Sequence, residues 1–202
     1  MITVPRRPRL DRGLVQVYTG ESKGKTTAAL GQALRAIGHG FQVCFIQFLK
    51  GSAYSGELFA AQRLYPNLVV RQYGISCPRS AQIRQGEDKC RGCGECFPSK
   101  ADNEEEYNEL ARLAYRAAEE AICSGEFDIV ILDEINQAVY LNYISVEEVL
   151  ALLNKKPDFV EVILTGRNAH PQVIARADLV TEMTLRKHPF QKGISSRRGI
   201  EY

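Results

Sequence analysis

Three groups of residues in this chain have types and spacings that could do chemistry. The first is Gly20-Glu21-Ser22-Lys23-Gly24-Lys25-Thr26-Thr27. It follows an apolar run at 14–18 and precedes helical apolar spacing at Ala29, Leu30, Ala33, Leu34 and Ile37. A glycine-rich loop between a strand and a helix is the setting of a phosphate loop. Glycines let successive backbone N–H groups converge on phosphate oxygens, and the helix N-terminus adds partial positive charge. Lys25 would neutralise phosphate oxygens, and the Thr26 hydroxyl would ligate Mg²⁺ or Mn²⁺. The whole loop, Gly20 to Thr27, is therefore the candidate nucleotide site, with ATP as the ligand. The alternative is a glycine-rich turn with an incidental Lys-Thr, which the flanking elements disfavour. One spacing departs from the usual motif: three residues, not four, separate Gly20 from Gly24, and Thr19 stands where the first glycine is expected.

The second group is acidic. Asp133 and Glu134 close a continuous apolar run at 128–132, and Glu134 is the candidate second ligand to the divalent ion. Carboxylates at the carboxyl end of a strand in an open α/β sheet face the ligand crevice. Capping the following segment is the alternative role for Asp133. Arg167 lies just past another apolar run, at 160–165, where its guanidinium could clamp a phosphate. It could equally be an exposed loop arginine. Lys25 and Arg167 are the candidate catalytic residues.

The third group is Cys77, Cys90, Cys93 and Cys96, the last three spaced C-x₂-C-x₂-C. Four thiolates suit Zn²⁺ or a [4Fe-4S] cluster, and spacing alone does not separate them. Unligated or redox-active thiols are the other reading. Cys44, in a strand, and Cys123, near a helix end, read as buried small hydrophobes.

The elements that must position these groups alternate. Strands are expected at 14–18, 42–48, 128–132, 160–165 and 179–185, with a weaker one at 68–72. Helices are expected at 26–37, 103–123, 145–154 and 171–177. Residues 74–100 have no periodicity, and 186–202 reads as an irregular basic tail. The alternation predicts an α/β fold: a doubly wound, mostly parallel sheet in one domain, residues 13–202, with a cysteine-rich insertion at 74–100. Residues 1–12 form a basic, proline-containing arm. A length of 202 residues suits one core, and a net charge of +2 gives no support to nucleic-acid binding. No apolar stretch is long enough for a signal peptide or a membrane span, so a cytoplasmic protein is expected.

The motifs together resemble the phosphate-loop ATP:corrinoid adenosyltransferases. The resemblance is carried by residues 18–31, by Arg35-Ala36-Ile37-Gly38-His39-Gly40 and by Gln47-Phe48-Leu49-Lys50-Gly51. Residues 130–134, Leu164-Thr165-Gly166-Arg167 with His170, Lys187-His188 and Gly199-Ile200-Glu201-Tyr202 also match. The shortened loop is itself a family mark. The resemblance implies a phosphate-loop, RecA-like fold and a reaction in which corrinoid Co(I) attacks the 5′ carbon of ATP. It implies Thr26 and Glu134 as metal ligands, and Lys23, Gly24, Lys25 and Thr27 as phosphate contacts. Asp133 would support them, and His39 and His170 match without an assigned role. It also implies a homodimer and a reductant protein such as a flavodoxin-like donor. A phosphate-loop ATPase or small-molecule kinase with a metal-binding insertion is the competing enzyme, and a nucleotide-binding regulatory module is a third reading. The family's aromatic pair after the third strand is replaced here by Gly74-Ile75-Ser76-Cys77-Pro78, and the chain has no tryptophan. Phe97 and Ile75 are the candidates to pack on the corrinoid instead.

Overall fold

The computed structural model describes residues 9–90, 93 and 104–202. In chain order the elements are β1 (Val15–Thr19), α1 (Lys25–Gly38), β2 (Val43–Phe48), α2 (Gly56–Leu64) and β3 (Leu68–Tyr73). Then come α3 (Ser80–Gln85), α4 (Glu104–Cys123), β4 (Ile129–Asp133), α5 (Ile135–Tyr140) and α6 (Val146–Asn154). The chain ends with β5 (Glu161–Thr165), α7 (Pro171–Arg176), β6 (Leu179–Glu182) and a 3₁₀ turn, η1 (Pro189–Lys192).

The six strands form one sheet in the order β3-β2-β4-β5-β1-β6, and every pairing is parallel. Parallel strands need crossovers, and here these put helices on both faces. The strand side chains alternate accordingly. Val43, Phe45, Ile129, Ile131 and Ile163 pack with Ala29, Ala33 and Ala36 of α1 and Ala61 of α2. Cys44, Ile46, Phe48, Val130, Leu132, Val162 and Leu164 face the other way, against α4 to α7. Burial on both faces explains why the strands read as unbroken apolar runs. Alanine at 111, 114, 117, 118 and 121 gives α4 a smooth contact stripe and close approach to the sheet.

The doubly wound α/β expectation holds. Three short helices, α2, α3 and α5, were not foreseen. The six-residue helices α3 and α5 are too short to show a helical period, and α5 starts directly after Glu134. β6 ends at Glu182, not at 185, because Met183 turns toward the first loop: its N–H donates to Thr19 O, and its carbonyl accepts from Ser22 N. The basic tail is not wholly irregular, since His188 caps η1 by accepting from Phe190 N. Cys44 is buried as expected, but Cys123 is exposed, on the outer side of the last turn of α4. The capping box at Ser145 and Glu148 is present. Of the basic arm, residues 1–8 lie outside the described residues. Arg9 is pinned by a hydrogen bond to Gly125 O and by its guanidinium over the Phe159 ring, 4.2 Å from the centroid.

Candidate active site

The loops that leave β1, β2, β4 and β5 at their carboxyl ends converge on one cleft of about 770 Å³. β5 lies between β1, which carries the phosphate loop, and β4, which carries the acidic pair. Glu21, Ser22, Lys23, Gly24, Lys25, Thr26 and Thr27 all line the cleft, and so do Glu134 and Arg167. Gly20 turns the chain out of β1 at φ +99°, and a Cβ there would stand 2.5 Å from Met183 O. Gly24 precedes α1, and no side chain caps the helix. Its first N–H groups are thus left for a ligand at the positive end of the helix.

Lys25 is 6% exposed and folds back on its own loop, donating to Gly20 O at 2.8 Å and Ser22 O at 2.7 Å. Burial lowers its pKa from the ordinary lysine value, helped by Arg167 and Lys50 and opposed by Glu134 and Glu21. An ammonium held by neutral carbonyls in such a setting gains from a polyanion. Arg167 reaches Glu21 across 3.3 Å and is more than half exposed, so it is free to turn toward the cleft it lines.

Asp133 and Glu134 divide the acidic work. Asp133 is fully buried, and its two oxygens accept from four donors. Thr26 Oγ1 (2.9 Å) and Thr165 Oγ1 (2.6 Å) meet Oδ1, while Gln47 Nε2 (3.1 Å) and Lys50 Nζ (2.7 Å) meet Oδ2. Burial alone would raise its pKa, but Lys50 and the donors from Thr165 and Gln47 outweigh that and hold it below 3.8. Asp133 is not the cap of α5; that position is Glu134, which makes no side-chain cap and sits in the left-handed region at φ 64°. A non-glycine residue there costs about 1–3 kcal/mol, and such residues cluster at ligand sites. The bend turns the Glu134 carboxylate into the cleft, while its N–H donates to Thr165 Oγ1. Thr26 and Glu134 thus offer oxygen ligands of the kind that hard divalent ions take, and Asp133 orients Thr26 from behind.

Sequence reasoning gave no role to Lys50, Gln47 or Thr165. Lys50 and Gln47 lie in a motif that was noticed only for its resemblance, and nothing local in it signals a contact with residue 133. The tail is a second surprise. His188, Phe190, Ile200 and Tyr202 form part of the cleft wall. Lys23 Nζ donates to Ile200 O at 3.2 Å. The Tyr202 ring meets Tyr54 edge-on at 5.2 Å, and the Tyr54 hydroxyl lies 3.5 Å from Cys90 Sγ. His170 caps α7 by accepting from Gln172 N, which gives it a structural role.

Cys77 and Cys90 share one small cluster with Tyr54, Ile83 and Tyr202, whereas Cys93 is exposed. Cys96 and Phe97 lie outside the described residues. Among the described residues no group of three or more His, Cys, Asp or Glu side chains is placed to hold a metal. Ile75 packs against the main core. Among the described residues, no helix is long and apolar enough to cross a membrane.

Residues 11–202 match the family model described as ATP:corrinoid adenosyltransferase BtuR/CobO/CobP. A corrinoid adenosyltransferase from Sinorhizobium sp is 37% identical over 193 residues, covering 95% of this chain and 81% of that protein. One from Pseudomonas aeruginosa is 34% identical, covering 96% and 86%, and one from Escherichia coli K12 is 33% identical, covering 95% and 87%. Among solved structures, the flagellar accessory protein FlaH from Methanocaldococcus jannaschii superposes with a TM-score of 0.53 at 12% identity, over 86% of this chain and 72% of that one. That likeness concerns the fold alone. With the shortened phosphate loop, the acidic pair and the family match spanning nearly the whole sequence, this chain belongs to the ATP:corrinoid adenosyltransferase family.

Proposed function

We propose that this chain transfers the 5′-deoxyadenosyl group of ATP to the Co(I) centre of a corrinoid and releases triphosphate. The observation that carries this reading is the lining of the cleft. Lys23, Lys25, Lys50 and Arg167 all line it, together with the start of α1, whose N-terminus no side chain caps. Such a lining stabilises a polyanion that departs as a unit. In the reaction the electron pair of Co(I) forms the cobalt–carbon bond to C5′, and the C5′–O bond breaks. Its electrons leave on the triphosphate, and cobalt becomes formally Co(III). No proton need be removed from the nucleophile, so the site requires no general base. Catalysis rests on positive charge placed where the leaving group gains its own, and each such donor is worth roughly 3–4 kcal/mol. A divalent ion, Mg²⁺ or Mn²⁺, held by Thr26 and Glu134 would add charge of the same sign at the triphosphate.

The test is an assay with ATP and a corrinoid reduced to Co(I). The expected result is a light-sensitive cobalt–carbon product with one triphosphate per turnover. Release of ADP instead would assign the cleft to a phosphate-loop ATPase or kinase. The family resemblance also supports a homodimer and a separate reductant protein.

The cysteines are read as a second centre, with Cys77, Cys90, Cys93 and Cys96 holding Zn²⁺ or a [4Fe-4S] cluster. The support is the spacing of the last three and the shared cluster of Cys77 and Cys90. Protein purified without oxygen should carry one zinc, or iron with sulfide and a brown colour, per chain. Metal-free protein would end this reading. Cys93→Ser should lose that metal and weaken corrinoid handling before ATP affinity. An equal loss of ATP affinity would place the cysteines in the nucleotide site.

A further inference from the structure

The Lys50 side chain occupies an unusual position for a strand-end lysine. Its Nζ lies 3.1 Å from Thr26 Oγ1, 2.7 Å from Asp133 Oδ2 and 3.6 Å from Glu134 Oε1. These contacts include both residues assigned to a divalent ion and the carboxylate behind them. Glu57 adds further negative charge nearby, since it accepts from the same Gln47 amide that donates to Asp133. The ammonium is therefore a monovalent cation seated among a metal's ligands.

The backbone is built to hold it there. Leu49, immediately before it, is buried yet lies in the left-handed region at φ 59°. Glu134, on the neighbouring strand end, is left-handed too. These two residues immediately follow the paired strands β2 and β4: Leu49 turns its own side chain into the core, and the Lys50 ammonium beside it lies 3.6 Å from the Glu134 carboxylate. After Lys50 the chain passes so close to β3 that a Cβ on Gly74 would collide with the Lys50 backbone N. The side chain is 19% exposed and borders the cleft, so it has room to leave.

We propose that Lys50 is a built-in counter-cation that guards the metal position. Without nucleotide its ammonium offsets part of the charge of Asp133 and Glu134 and keeps a divalent ion out by charge repulsion and by occupying the space. A triphosphate offers the ammonium a better partner in the same cleft. Lys50 then moves onto phosphate oxygens, and the ion takes its place between Thr26, Glu134 and the nucleotide. Metal and nucleotide binding become coupled, so ions are not taken up singly. This inference rests on the assignment of Thr26 and Glu134 as metal ligands.

The test is Mn²⁺ binding, followed by electron paramagnetic resonance, in wild-type protein and in Lys50→Met and Lys50→Gln. Lys50→Gln keeps a hydrogen-bond donor toward Asp133, and so guards against loss of the fold. Without nucleotide, both variants should bind one Mn²⁺ about tenfold more tightly than wild type, or better. Adding Glu134→Gln should abolish the gain. Mn²⁺ should raise the melting temperature of the Lys50 variants and leave that of the nucleotide-free wild type unchanged, which a merely structural lysine would not produce. Unchanged Mn²⁺ affinity in Lys50→Gln would overturn the proposal. The metal assignment is read separately, with a non-hydrolysable ATP analogue present. If Glu134→Gln leaves the bound Mn²⁺ spectrum unaltered there, that assignment falls and takes this inference with it. If the spectrum changes while the Lys50 variants show no gain, Lys50 alone has been misread.

Discussion

Lys25→Ala is expected to slow adenosyl transfer by about a hundredfold or more, the scale seen when one donor to a developing charge is removed. Its melting temperature should stay within a few degrees of wild type. The two halves of this result come from one geometry. Among the described residues the Lys25 ammonium donates to the carbonyls of Gly20 and Ser22. Its pKa is lowered, chiefly by burial, so the folded state is a poorer home for this charge than water is. Removing it takes little from the fold. In the proposed reaction the leaving triphosphate, by contrast, would lose a buried cation of the phosphate loop at the moment its charge grows. Rates with Co(I) corrinoid and ATP, beside a thermal melt, measure both halves. Near-normal adenosylation would show that the phosphate-loop mechanism is wrong.

Asp133→Ala should behave in the opposite way, failing first as a fold. It takes away the closest partner of Lys50, leaving Glu134 at 3.6 Å, and removes an acceptor from each of Thr26, Thr165 and Gln47. Breaking a buried pair from one side costs about 3–5 kcal/mol. For a chain of this length that corresponds to a fall of roughly 6–20 °C in melting temperature. The penalty also has a pH signature. The folded carboxyl lies below its unfolded value of 3.8, so its contribution is present above that value and is lost as pH falls through the lower folded one. Melting curves of wild type and Asp133→Ala should therefore be well separated at pH 7 and converge in strong acid. A constant gap down to the acid limit would mean that Asp133 supports the fold by shape, not by charge.

Much of this was legible in the sequence because the signals are local. Residues 20–27 carry their glycines, lysines and threonines in one run between a strand and a helix, and Glu21 to Thr27 of that run line the cleft. The strand expected at 128–132 and found at Ile129–Asp133 was readable because Ile129 to Leu132, buried on both faces, form an unbroken apolar run. What the sequence hid is what only the sheet brings together. Lys50 and Asp133 are 83 residues apart, and their meeting depends on β2 pairing with β4. Lys23 and Ile200 are farther apart still. The left-handed turns at Leu49 and Glu134 fall on residue types that give no warning of positive φ. Cys123 misled because its position near a helix end suggested burial, whereas the buried stripe of α4 runs through Ala114, Ala118, Ala121 and Ile122 instead.

The strand order also sets a timetable for synthesis. β1 is made first, yet its hydrogen-bonded neighbours are β5 and β6: Val15 pairs beside Val162, Tyr18 beside Thr165 and Gln16 beside Leu179. β2 and β3 can join each other early, and β4 can add to them once it emerges. At roughly 5–20 residues per second, the ribosome leaves β1 without a neighbour for about 7 to 30 seconds after it is made. The phosphate loop hangs from the end of that waiting strand. A nascent chain thus carries the phosphate loop on a strand that lacks its sheet partners until β5 has been delivered.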